Sequence, residues 1–121
     1  MPSFPVEGPI LNFSLDGNSI LVEFKKKGFL SISAIDDRTI HMKWSLNYIN
    51  NEDHNQNRFD NILYDDKFLT INKGYVKLVL GGNEIDYYSK DEIVRKEFLH
   101  SIGTRNLIIS KIREDSILSG T

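Results

Sequence analysis

The side chains best able to do chemistry in this sequence are two pairs of adjacent carboxylates, Asp36-Asp37 and Asp65-Asp66, and three histidines, His41, His54 and His100. Glycoside hydrolysis needs two carboxyl groups facing each other across a substrate cleft. Adjacent residues on a strand point to opposite faces, and both aspartate pairs sit where the apolar pattern reverses, so they read as hairpin turns. The histidines have no metal-ligand spacing, and a chain without cysteine has neither a thiol nucleophile nor a Cys-ligated zinc. Gly81-Gly82 lacks the further glycine and lysine of a phosphate loop, and no Gly-x-Ser-x-Gly elbow occurs. Lys25-Lys26-Lys27 could hold a small anion but reads as a solvated strand end. No catalytic, cofactor-binding or metal-ligating residue is therefore expected. Residues 47–61 form the longest irregular stretch, and within it Asn51, Glu52, Asp53 and His54 could offer ligands to a hard cation, yet in no defensible metal-loop spacing. A flexible hairpin tip is the plainer reading of that stretch.

Composition decides what kind of scaffold these residues sit on. The chain has 121 residues, 15 basic against 17 acidic side chains, and 40% hydrophobic content. A chain of this length can bury roughly two-thirds of its unfolded surface, enough for one core without a metal or disulfide. A formal charge of −2 argues against nucleic acid or an anionic membrane as partner. Apolar runs are too short for a membrane span or a signal segment, which places the chain in the cytoplasm as an expectation. Ala34 is the single alanine, beside 15 isoleucines, 7 phenylalanines and 5 tyrosines. The best helix former is nearly absent and pleated-surface residues are abundant. The predicted fold is all-β, an antiparallel sandwich of about ten short strands with at most one short helix.

Prolines occur only at positions 2, 5 and 9, so residues 1–9 read as a tail and 10–121 as a single β-sandwich domain. Leu11, Phe13 and Leu15 alternate with polar neighbours, Asp16-Gly17-Asn18 turns, and Ile20, Val22 and Phe24 resume the alternation. Ile40, Met42, Trp44 and Leu46 share one face of the next hairpin, opposite His41, Lys43 and Ser45. Trp44 could stack on a sugar, but its alternation partners favour core packing. Val76, Leu78 and Leu80 share a face further on. Residues 89–100 are ambiguous, because Ser89-Lys90-Asp91-Glu92 fits a capping box while the surrounding pattern favours a turn and a strand.

Three stretches carry a family likeness. Residues 28–44 join an apolar strand through Asp36-Asp37-Arg38 to the strand of Trp44; residues 76–91 are paired strands ending at Ser89-Lys90-Asp91; residues 107–121 end in Ser119-Gly120-Thr121. In order and character these resemble the N-terminal domain of glycoside hydrolase family 31, the α-glucosidases and α-xylosidases. The likeness departs at Ser89-Lys90-Asp91-Glu92, which lacks the usual turn glycine. It implies a galactose-mutarotase-like β-sandwich packed beside a (β/α)8 barrel that carries an aspartate nucleophile and an aspartate acid/base. Neither group belongs to these 121 residues, which are then truncated from a longer chain and catalytically silent. The implied partner is the catalytic barrel of the same parent chain, and α-linked oligosaccharide is met only through that enzyme. Asn51, Glu52, Asp53 and His54 become candidates for the rim of its sugar site, and no cofactor is implied.

Two other readings have their own marks. A pleckstrin-homology-like interaction module requires a helix of several turns across residues 90–100 and no strand after Arg105. An independent carbohydrate-binding sandwich requires an exposed aromatic row. Docking on a barrel instead requires an exposed apolar patch.

Overall fold

The computed structural model describes residues 9–36, 38–48, 56–65, 67–81, 84–98 and 105–108, the last four through their backbone. Ten strands are present among them: β1 (Ile10–Asp16), β2 (Ser19–Phe24), β3 (Phe29–Asp36), β4 (Thr39–Ser45), β5 (Asn61–Tyr64), β6 (Phe68–Lys73), β7 (Val76–Gly81), β8 (Glu84–Ser89), β9 (Glu92–Phe98) and β10 (Arg105–Ile108). They form two five-stranded antiparallel sheets, ordered β1-β2-β3-β4-β10 and β5-β6-β7-β8-β9. Each sheet is thus an up-and-down meander, with β10 returning to the first sheet beside β4. The all-β sandwich expected from composition is the observed architecture.

Period-two patterning decides which face of each strand is buried. In the first sheet Ile20 and Val22, Leu30 and Ile32, and Ile40 and Met42 point inward and are all but inaccessible to water. Leu69 and Ile71, Leu78 and Leu80, and Ile85 and Tyr87 meet them from the second sheet. Each such aliphatic side chain contributes about 1.5–3 kcal/mol relative to an exposed one. The Tyr87 hydroxyl contacts the Met42 sulfur at 3.7 Å, locking β8 across from β4. At the other edge Phe13 meets Tyr64 edge-to-face with ring centroids 5.4 Å apart, setting β1 across from β5.

The turns follow the polar and glycine signals. Gly17, Gly28 and Gly74 hold φ values of +63°, +92° and +61°, a region that a side chain disfavours. Asn18 is buried, donating from Nδ2 to the Ala34 carbonyl at 2.6 Å while the Ala34 amide donates back to the Asn18 carbonyl. That exchange ties the first turn to the end of β3.

Two expectations need correction. Leu46 lies beyond the end of β4 and is exposed, so the buried row stops at Trp44, which packs against the core. Leu11 and Leu15 alternate with Phe13 yet remain half or more exposed: a bulge between Ile10 and Asn12 gives the core position opposite Phe24 to Ile10 and leaves Leu11 out of the row, and Leu15 lies near the end of an edge strand. The ambiguous segment resolves into a tight turn and a strand: Lys90 and Asp91 both take positive φ, and Glu92–Phe98 pairs with β8. This removes the helix that an interaction module of the pleckstrin-homology kind requires, and β10 supplies a strand where that reading allows none.

Candidate functional site

Both aspartate pairs are placed in hairpin connections. Asp36 Oδ1 accepts the Arg38 amide at 2.7 Å. Asp65 Oδ1 accepts the Phe68 amide at 2.8 Å and the Lys67 amide at 3.2 Å. The Phe68 amide first and the Lys67 amide second stabilise the ionised form and hold the Asp65 carboxyl below its ordinary pKa. Asp37 and Asp66 lie outside the described residues. His41 stands on the outer face of the first sheet beside Ser33, while His54 and His100 also fall outside the described residues. Among the described residues no group of three His, Asp or Glu could hold a metal ion.

The rim candidates Asn51, Glu52, Asp53 and His54 lie outside the described residues, so nothing brings them to a site. Residues 57–60, a few positions further along the chain, are anchored at both sheets. Asn57 Nδ2 donates to the Ile35 carbonyl at 2.8 Å, at the end of β3. The Asp60 amide donates to the Asn72 carbonyl, and Asp60 Oδ2 accepts the Gly74 amide at 2.6 Å. Lys73 is buried and spends its ammonium on the Arg58 carbonyl at 2.9 Å. This short segment therefore spans one end of the sandwich.

The outer faces of the two sheets differ. On the first sheet the outward positions are mostly small or polar: Ser19, Ser31 and Ser33 are buried, and the Ser19 and Ser33 hydroxyls are hydrogen-bonded at 2.5 Å. On the second sheet Leu63, Phe68, Ile93 and Phe98 are exposed. Their placement follows from register. Leu63 stands opposite Thr70, which stands opposite Val79; Phe68 opposite Gly81, then Glu84, then Phe98; Lys77 opposite Tyr88, then Ile93. Phe68 lies across β7, where Gly81 leaves room for its ring: a Cβ at Gly81 would overlap the ring. Both lysines of this face are paired. The Lys77 ammonium sits 4.5 Å from the centre of the Tyr88 ring, and Lys96 bridges Asp86 at 3.4 Å. A sheet face with large apolar side chains interleaved with paired lysines is suited to covering by a partner. Sequence alternation contained this signal for Leu63 and Phe68, which fall opposite the core positions of their own strands; Ile93 and Phe98 are five residues apart and share the face only because the register shifts between them.

Glu97 was not singled out by sequence. Its side chain is 7% exposed and bridges Arg95 at 3.3 Å, an edge-strand ion pair.

No family model matches this sequence, and no curated protein matches it. Among solved structures it is similar to a Flavobacterium johnsoniae GH31 dextranase complexed with glucose, at a TM-score of 0.60 and 7% identity. In fold, the chain resembles part of a GH31 enzyme. The match covers 88% of this chain but 15% of the dextranase chain. At that identity the likeness is one of fold alone, and it supports the GH31-like sandwich implied by the sequence.

Proposed function

We propose that this chain is a non-catalytic β-sandwich domain of a retaining α-glycosidase, resting the outer face of its second sheet on a (β/α)8 catalytic barrel. The observation that carries the reading is the exposed set Leu63, Phe68, Ile93 and Phe98 on one sheet face, in a fold that recurs as a small part of a GH31 enzyme. Its role is to bury that face and stiffen the barrel, and the α-linked glucan is bound and cleaved by barrel residues. Asn51, Glu52, Asp53 and His54 are the proposed contribution to the rim of the sugar site.

A second reading has one observation in its favour. Phe68 and Phe98 are exposed on one cross-strand row, a feature that an independent carbohydrate-binding sandwich also needs. One experiment separates the two. The purified chain is incubated with dextran and run through a gel containing it. The docking reading predicts neither hydrolysis nor retardation; hydrolysis contradicts a non-catalytic role, and retardation abolished by Phe98→Ala establishes sugar binding instead.

A further inference from the structure

Outward side chains of a sandwich meet water unless something lies over them. On the first sheet the central outward positions are dry: Ser19, Leu21, Ser31 and Ser33 are 3%, 9%, 8% and 5% exposed. They alternate with the inward Ile20, Val22, Leu30 and Ile32 and form one block, Leu21 opposite Ser31 and Ser19 opposite Ser33. The second sheet packs on the other face, and all ten described strands belong to the two sheets. Tyr48 meets the outward Phe29 edge-to-face at one end of β3, but it is itself 66% exposed and leaves the block to another cover. The Ser31 hydroxyl adds a second mark. It is buried with no hydrogen-bond partner among the described residues, whereas the Ser19 and Ser33 hydroxyls satisfy each other. A buried hydroxyl calls for a partner, so the cover carries polar groups as well as apolar ones.

β10 selects the occupant. It is the edge strand beside β4 in this same sheet, and its last residue, Ile108, stands opposite Thr39, next to the row of His41, Ser33 and Ser19. Residues 109–121 follow it and carry Ile109, Ile112, Ile117 and Leu118. From β10 to β2 is three strand spacings, about 14 Å, which about five extended residues span. Residues 49–55 hold one apolar side chain, Ile49, and residues 99–104 connect β9 of one sheet to β10 of the other. Residues 1–8 enter at the opposite corner, where the Pro9 carbonyl accepts the Lys25 amide. We infer that residues 109–121 strap the outer face of the first sheet, passing from β10 over β4 and β3 to β2. Their apolar side chains cover Leu21, and their backbone supplies the partner of the Ser31 hydroxyl. The strap closes this face to other partners, and it is independent of the proposed docking, which uses the other sheet.

Thiol labelling of the full chain tests the strap. The sequence has no cysteine, so Ser31→Cys places a single near-isosteric reporter under it. An aromatic disulfide reagent is expected to modify this thiol at least tenfold more slowly than that of Ser14→Cys, an exposed position opposite Leu21 on the same face. Deleting residues 109–121 should bring the two rates together, and deleting residues 1–8 should leave Ser31→Cys slow. Val22→Cys, next to Leu21 but facing the core, stays protected in every folded chain and separates uncovering from unfolding. Should the shortened chain unfold, Ile112→Asp/Leu118→Asp in the full chain is the second variant, expected to speed Ser31→Cys labelling at least tenfold with Val22→Cys still protected. Fast labelling of Ser31→Cys in the full chain overturns the inference. So does slow labelling that survives the loss of residues 109–121 in a folded chain, or labelling released by the loss of residues 1–8 instead.

Discussion

Phe68 and Gly81 show how one residue's absence of a side chain shapes a surface. The Phe68 ring occupies the place a Cβ would take on Gly81, so Gly81→Ala forces the ring off β7. The expected cost is about 1 kcal/mol, the low end of overpacking because the ring can swing toward solvent. Combined with Phe68→Ala the cost should vanish, and urea denaturation of the double-mutant cycle measures the coupling. Asp65 makes a prediction about pH. Its folded pKa is depressed by the Phe68 and Lys67 amides, so its contribution to the turn is present above the unfolded carboxylate value and is lost as pH falls through the lowered folded value. A carbon-detected NMR titration should place the Asp65 midpoint below the ordinary value of an aspartate side chain; a midpoint at that ordinary value would show that the turn does not hold its two amide bonds in solution.

At the scale of elements, the β8–β9 hairpin carries a correctable strain. Lys90 and Asp91 both occupy left-handed conformations, which two-residue hairpin turns reserve for Asn-Gly and similar pairs. Lys90→Asn/Asp91→Gly should raise stability by about 0.5–1 kcal/mol, read from the thermal midpoint. The same residues explain why this segment was ambiguous from sequence. Neither Lys90 nor Asp91 announces a turn of that kind, and Ser89 with Glu92 imitates a helix cap, so only pairing with β8 decides the outcome. Where the turn residues are explicit, as at Gly17 and Gly74, strands and turns were legible directly. The rows Ile40-Met42-Trp44 and Val76-Leu78-Leu80 were legible for the same reason, since alternation fixes a buried face. Edge position was not. Leu11 and Leu15 alternate as core residues do, but a bulge between Ile10 and Asn12 takes Leu11 out of the row and Leu15 lies near the end of an edge strand, facts that belong to sheet pairing. The docking face was legible only in part, since the residues opposite the core positions are apolar, but which of them stand together depends on sheet order. The loop-borne rim candidates rested on length and side-chain type, which do not determine placement.

Among the described residues the second sheet exposes large apolar side chains on its outer face, whereas the outer positions of the first are mostly small or polar and its Ser19, Leu21, Ser31 and Ser33 are buried, and the proposed role rests on that difference. Replacing Leu63 and Phe98 by lysine should change the stability of the chain alone by less than about 0.5 kcal/mol, because both side chains are exposed. On the proposed reading, the same double replacement in the parent enzyme should lower the thermal midpoint and the hydrolytic rate together, since an undocked sandwich no longer supports the barrel. The most direct test of that docking is chemical crosslinking of the native protein in its source cells, read by mass spectrometry from lysines on each face. Lys96 lies on the outer face of the second sheet, Lys43 on that of the first. Docking predicts crosslinks from Lys96 to residues of a (β/α)8 hydrolase barrel and none to it from Lys43. Crosslinks to a barrel from Lys43 alone, or to no barrel from either lysine, would contradict it.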